Sequence, residues 1–410
     1  MPDLRQNQRR ALMALECADG LTRAQLARQL GLPKATVAGL IASLTELGLV
    51  VETAPSGPNN GRRPVGRPAK ALYLSGPAPV VGTVVYSGGI LTAAIVSYSG
   101  VLHASQSEIV GARDFDLSLL SQAEELLGKA VATTGRRTGR MATVVLGVPA
   151  PVFAPSGPTF YPPSGDGSGA IAGPGPAGHS YIRLLAGDVA ERFASRFGAT
   201  ALVENDANLG ALGEAVFGAG RDCESFLYLK LARGVGAGLV VGGKLHRGAT
   251  GFAGELGHIH VRDDGPVCAC GGRGCLHGML GDSLVQTVQA AYDRTINFRD
   301  ILDLASAGEP GPQRALADVG RIVGRPLADF VTLFNPAAII VDGSFADAAS
   351  FVVDGIWESL QRYAAPVAAR AVTVMAGALG DDADVLGATA LARATATAPA
   401  SVPPKLRQRA

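Results

Sequence analysis

The chain lacks most of the features that would announce a function class on their own. Only five of its 410 residues are cysteine, one is tryptophan, and aromatics total 5%. Five cysteines in so long a chain cannot staple a secreted disulfide scaffold. Charged residues are scarce at 17%, and the formal net charge is +1. That balance excludes a global basic field, so any nucleic-acid surface must be local. No apolar run approaches the ~20 residues of a membrane helix. The opening MPDLRQNQRRALMALE has no apolar signal core followed by a small-residue cleavage site. These absences predict a soluble cytoplasmic protein with no membrane partner. Hydrophobic residues, by contrast, reach 47%. That is enough for sizeable cores, and the length predicts two or three domains.

The first residues differ in kind from the rest. Ala11, Leu12 and Leu15 recur at helical spacing over 8–18. In LTRAQLARQLGLPKATVAGLIASLTELGLV, Thr22 can cap a helix running to about Leu30. Gly31 breaks it, and Pro33 suits the first turn of the next. That next helix carries Val37, Leu40, Ile41 and Leu44 on one face and ends near Gly48. Two short helices joined through a glycine turn predict a helix-turn-helix, although any small helical hairpin shares the pattern. Strand-like segments at Leu49–Glu52 and Lys70–Leu74 flank TAPSGPNNGRRPVGRPA, which carries Arg62, Arg63 and Arg67. This is the layout of a winged helix with a basic wing. Residues 1–70 hold ten Lys/Arg against five Asp/Glu, about +5, which leaves the remainder near −4. Such asymmetry points to a DNA-facing end, with arginines suited to a narrow minor groove. Lys34 and Thr36 begin the expected recognition helix, while Gly39 offers no side chain for readout.

From about residue 79 strands alternate with helices, which predicts an α/β body. VVGTVVYSGGILTAAIVSYSG reads as two apolar strands around a Ser-Gly-Gly turn. A helix through Leu119, Leu120, Ala123 and Leu127 precedes the strand in MATVVLGVPAPV. A long Gly/Pro/Ser-rich loop, about 154–180, suggests a lid or binding loop. Next come a helix at 182–197, the strand ALVEN, another helix, and the strands FLYLKLA and GAGLVVGGK. Helices near 282–293, 298–306, 313–334 and 347–363, the strands AAIIVDG and AVTVMAG, and a final helix DVLGATALA complete the pattern. The expected division is a winged helix over 1–78, a two-lobed body over 79–393 and a disordered tail over 394–410.

Three of the five cysteines lie within CACGGRGCLHGM, as Cys268, Cys270 and Cys275. A structural zinc site needs four nitrogen or sulfur ligands. Upstream, GELGHIHV offers His258 and His260, both close enough to supply the fourth. Free buried thiols or a redox pair are the alternatives, and neither accounts for the dense spacing.

GELGHIHV followed by CACGGRGCL resembles the signature of the ROK family (repressors, open reading frames, kinases). VENDANLGALGEAVFGAGR, GVGAGLVVGGKLHRGATGFAGELGH, NPAAIIVDG and DADVLGATALA also follow in that family's order, so the likeness spans about 80–393. The resemblance implies an actin/hexokinase-like pair of α/β lobes with a sugar in the cleft. It selects His258 as the zinc ligand with Cys268, Cys270 and Cys275. It implies Asn205, Asp206, Glu255 and His258 as sugar contacts, Asp206 being the catalytic base of the kinases. Members with an N-terminal winged helix resemble sugar-responsive repressors.

Two departures from the family pattern bear on function. The kinases' Asp-x-Gly-x-Thr, which organises Mg²⁺ and phosphate, is Val85-Tyr86-Ser87-Gly88-Gly89 here, and their second phosphate loop is Ala232-Arg233-Gly234-Val235-Gly236. Valine cannot organise a metal, and phosphoryl transfer depends on positioning and charge neutralisation. The expectation is therefore no ATP/Mg²⁺ site and no enzyme activity. The family's last sugar-binding glutamate is His277, which changes the donor and acceptor pattern of the pocket. The expected function is a sugar-responsive DNA-binding regulator, most simply a repressor, with structural Zn²⁺. It would act on double-stranded operator DNA as a homodimer or dimer of dimers, with a sugar or sugar phosphate as effector. The alternatives are an ATP-dependent sugar kinase with a fused DNA module, and a regulator answering to a protein partner.

Overall fold

The computed structural model describes residues 6–16, 18, 20–53, 70–76, 79–111, 117–134, 139–152, 186–231, 234–249, 251–268, 270–279, 282–342, 345 and 348–397. The N-terminal module runs α1 (Gln6–Glu16), β1 (Leu21–Thr22), α2 (Arg23–Leu30), α3 (Lys34–Glu46), β2 (Val50–Thr53) and β3 (Ala71–Leu74). Thr22 caps α2 through a reciprocal box. Its hydroxyl accepts from Gln25 N at 3.3 Å, and its own N–H donates to Gln25 Oε1 at 2.8 Å. Pro33 stands just before α3 rather than inside its first turn. Leu26, Leu30, Val37, Ile41 and Leu44 share one core with Ala11, Leu15, Val50 and Leu72. Strand β1, too short for any periodic signal, adds to β3 and completes a sheet of order β1-β3-β2. Residues 54–69, which hold Arg62, Arg63 and Arg67, lie outside the described residues.

The body contains two five-stranded sheets built to one plan. In the first, β4 (Val80–Ser87), β5 (Ile90–Ser97) and β6 (Leu102–Ile109) are antiparallel, and β7 (Met141–Val148) and β8 (Thr200–Asn205) run parallel to β4. In the second, β9 (Phe226–Leu231), β10 (Val235–Val241) and β11 (Lys244–Leu245) are antiparallel, and β12 (Ala338–Val341) and β13 (Thr373–Ala376) run parallel to β9. The orders, β6-β5-β4-β7-β8 and β11-β10-β9-β12-β13, are the same sequence of moves made twice. Strand β6 escaped the sequence reading because its LHASQSEI is half polar, as suits a sheet edge with one wet face.

Helices α4 (Leu117–Thr134) and α5 (Ala186–Phe197) serve the first sheet. Helix α6 (Asp206–Phe217) leaves the end of β8 and packs against β9 and β10 of the second. The second sheet is covered by α7 (Asp282–Gln289), α8 (Phe298–Ser306), α9 (Pro310–Phe334), α10 (Ala349–Tyr363) and α11 (Pro366–Ala371). The last helix, α12 (Ala383–Thr397), crosses back to pack on α6, β4 and β7, and it also carries α1 of the N-terminal module. The α6–α12 crossing is tight: a Cβ on Gly387 would stand 1.7 Å from Leu209 O, so only glycine fits there. Helix α12 continues to Thr397, past the Ala394 at which the tail was expected. Residues 153–185, which include the expected lid loop at about 154–180 and the first residues of the helix expected over 182–197, and residues 398–410 lie outside the described residues. Among the described residues no helix is long and apolar enough to cross a membrane.

Candidate metal centre and adjoining cleft

The segment after β11 folds around its own backbone. Val261 N donates to Gly274 O at 2.8 Å, Cys268 N to Gly272 O at 2.8 Å, and Leu276 N to Ile259 O at 2.9 Å. Gly274 has φ 67° and sits so close to Arg262 O that a Cβ would clash at 1.6 Å. These turns bring His258, Cys268, Cys270 and Cys275 together, with ligand atoms all within 4.8 Å of one another. Cys268 Sγ lies 3.5 Å from His258 Nδ1, and Cys270 Sγ lies 3.7 Å from Cys275 Sγ. Zinc bonds of about 2.3 Å to sulfur and 2.0–2.1 Å to nitrogen imply tetrahedral edges of roughly 3.8 Å and 3.6 Å. The donor set therefore fits a four-coordinate zinc ion with no open position. Without a cation, burial and then the neighbouring thiols push Cys275 up to about 12; a bound Zn²⁺ would hold thiolates. His260 turns away, half exposed, with Nε2 3.4 Å from Asp263 Oδ1.

The other ring nitrogen of His258 faces the cleft. Its Nε2 is 3.8 Å from Glu255 Oε2, and its ring lies nearly parallel to that of His277, centroids 6.0 Å apart and planes at 17°. Burial, and next the charge of His277, lower the His258 pKa. Burial and then the nearby Asp206 carboxylate push Glu255 up to about 7. His277 also packs on the second loop position, where a Cβ on Gly234 would meet its Cε1 at 2.2 Å. Asp206, Glu255, His258 and His277 thus converge. Asn205 is turned to structure: its Oδ1 accepts from Asn208 N at 3.0 Å, and its Nδ2 donates to Ala150 O at 3.2 Å. Ala232 and Arg233 lie outside the described residues.

Sequence reasoning missed the floor of this cleft. Asp206 Oδ1 accepts from Ala207 N at 2.9 Å, and its Oδ2 accepts from Ser87 Oγ at 2.8 Å. The same Oδ2 is 3.2 Å from Lys230 Nζ, which also pairs with Asp384 Oδ2. Lys230 is buried within β9, every other residue of which is also buried. Burial opposes its charge, but Asp206, Asp384 and Asp342 outweigh that and raise its pKa. Burial pushes Asp384 up to about 7 against the opposing pull of Lys230. Beside the floor, the buried Glu204 takes Arg247 Nε at 2.9 Å, which ties β8 to the segment leading to Glu255. The available signal was a lone lysine in the apolar run FLYLKLA. Val85, which the family resemblance sets at the kinases' metal-organising position, is buried beside Gly147 and Leu209.

Residues 104–395 match the ROK family, and residues 3–63 match the MarR family. The chain belongs to the ROK family. It is similar to a xylose repressor of Bacillus spizizenii, 31% identical over 48% of this chain and 51% of that protein. The aligned region thus spans about half the length of that relative. The fold matches a ROK family transcriptional regulator, a homolog of the E. coli MLC protein, with TM-score 0.71, 22% identity and coverage of 95% and 97% of the two chains. It also matches a ROK glucokinase from Streptomyces griseus in complex with glucose and AMPPNP, with TM-score 0.63, 26% identity and coverage of 77% and 99%. The MarR match and the regulator structure support the winged helix expected from sequence, and both structures support the hexokinase-like ROK body.

Proposed function

We propose that this chain is a sugar-responsive transcriptional repressor of the cytoplasm, with a winged helix over about 1–78 and a ROK effector body over about 79–393. The observation that carries this reading is a winged helix fused to a ROK body whose metal-organising position is a buried valine. The xylose repressor likeness favours the same function. Lys34 and Thr36 are exposed at the start of α3, where a recognition helix reaches the major groove. Arg62, Arg63 and Arg67 would supply wing contacts to phosphate or the minor groove. Two-fold operators require a homodimer, or a dimer of dimers, to present two recognition helices.

In the cleft, Asp206 and Glu255 would receive sugar hydroxyls, with His258 and His277 as their neighbours and Asn205 holding the helix end beneath them. His258, Cys268, Cys270 and Cys275 would hold structural Zn²⁺, which supplies rigidity rather than Lewis-acid chemistry. Since Nδ1 of His258 faces the thiols, its Nε2 is oriented toward the sugar. Effector would act by favouring one arrangement of lobes and DNA modules over the other. The test is fluorescence anisotropy on DNA from the protein's own promoter, with xylose, glucose and their phosphates added. A change in DNA affinity of fivefold or more, of the order of ordinary allosteric coupling, supports the reading. No DNA binding at low salt would overturn it.

The glucokinase likeness favours a second reading, a sugar kinase with a fused DNA module. A coupled ATP assay over a sugar panel separates the two. Turnover near ~1–100 s⁻¹, the kinase range, would establish it.

A further inference from the structure

The cleft floor gathers three carboxylates from separate parts of the chain: the buried Asp206 opens α6, the buried Asp342 follows β12, and the partly buried Asp384 lies in the first turn of α12. Buried carboxylates repel one another and resist ionisation unless a cation joins them. Lys230, on the central strand of the second sheet, supplies one from within the chain. We propose that Lys230 is the resident cation of this cleft: its ammonium takes the part of a metal ion, holding Asp206 and Asp384 together beside Asp342 and fixing Asp206 in position.

The geometry has two consequences. Ser87 Oγ and Lys230 Nζ both engage Oδ2 of Asp206, while among the described residues Oδ1 takes only the Ala207 amide. A carboxylate offers about four lone-pair sites, so Oδ1 keeps one acceptor position for a ligand hydroxyl. Lys230 also joins Asp206 to the first turn of α12, the helix that carries α1 of the DNA module. The ligand-facing carboxylate and the support of the DNA-binding end therefore share one ion-paired unit. That second role rests on the reading of the cleft as a sugar site, whereas the cation role does not.

The experiment therefore uses no sugar. Zinc-loaded full-length protein, Lys230→Ala and Lys230→Met/Asp384→Asn are melted with and without added MgCl₂ or MnCl₂, and bound Mn²⁺ is counted by electron paramagnetic resonance. Removing one partner of a buried pair is costly, so Lys230→Ala is expected to melt roughly 10 °C or more below wild type. Added Mn²⁺ should restore part of that loss, with one more Mn²⁺ bound than in wild type. The charge-balanced Lys230→Met/Asp384→Asn should recover most of the stability without binding Mn²⁺. A Lys230→Ala protein as stable as wild type, or folded with no additional Mn²⁺, overturns the proposal. If Lys230→Ala does not fold, a double variant that does fold supports it. One that fails equally overturns it. Wild-type protein that gives all these outcomes yet shows no response to sugar in the DNA-binding assay would instead count against the sugar-site reading.

Discussion

Two regions of this molecule gather like-charged or electron-rich side chains, and they neutralise them in opposite ways. The knot of His258, Cys268, Cys270 and Cys275 is local, closed within a short stretch of chain, and shaped for an ion from outside. The floor of Asp206, Asp342 and Asp384 is drawn from three distant segments, and an ammonium of the chain itself meets Asp206 and Asp384. An external ion needs ligands presented at fixed tetrahedral spacing, and tight glycine turns provide that. An internal ammonium needs only a buried strand position facing the right helix ends. The first arrangement would depend on metal from solution; the second is built into the chain itself.

The contrast is sharpest in Cys275→Ser. This variant should lose zinc outright and lose most of the order of residues 258–277, because a structural site contributes folding energy directly. Metal content and thermal melting would measure it, and a variant that retains zinc and wild-type melting would end the metal reading. Next in size is Asp206→Asn, which weakens a charge-assisted acceptor while leaving Lys230 paired with Asp384. Sugar affinity measured by calorimetry should fall roughly ten- to hundredfold with zinc content unchanged.

A smaller effect concerns pH. The Asp384 pKa rises from its ordinary 3.8 to about 7 in the folded protein, with Lys230, Asp206 and Asp342 facing it. Between those values the folded state binds more protons than the unfolded state, so this group's contribution to stability is lost as pH rises from about 4 to 7. Asp384→Asn should flatten that decline in urea melts across this window. An unchanged slope would mean that Asp384 is ionised throughout. The smallest expected effect is that of His260→Ala. It should leave zinc content and melting within error of wild type, since His260 faces Asp263 and not the thiols. Loss of zinc there would transfer the fourth ligand from His258.

Much of this was legible in the residues themselves. The N-terminal helices follow from Thr22, Gly31 and a clean apolar stripe, and α9 from its long 3.6-residue period ending at Asn335, the one described non-glycine residue with positive φ. The cysteine spacing announced the knot, although sequence left His258 and His260 level until the family pattern separated them. Strands β1 and β6 escaped because one is two residues long and the other alternates with half its face in water. Lys230 escaped for a different reason. Periodicity reports which face is buried, and a charge on a buried face reads as an exception until its partners are known.

By itself, the sequence determined what is local: helix caps, strand and helix periods and the spacing of the thiols. These depend on residues a few positions apart, whose geometry the backbone constrains directly. Only the tertiary structure decided that β8, β9 and α12 meet, and hence that Lys230 lies among Asp206, Asp342 and Asp384. Those carboxylates are separated by many residues in sequence and are brought together by the packing of one lobe against the other.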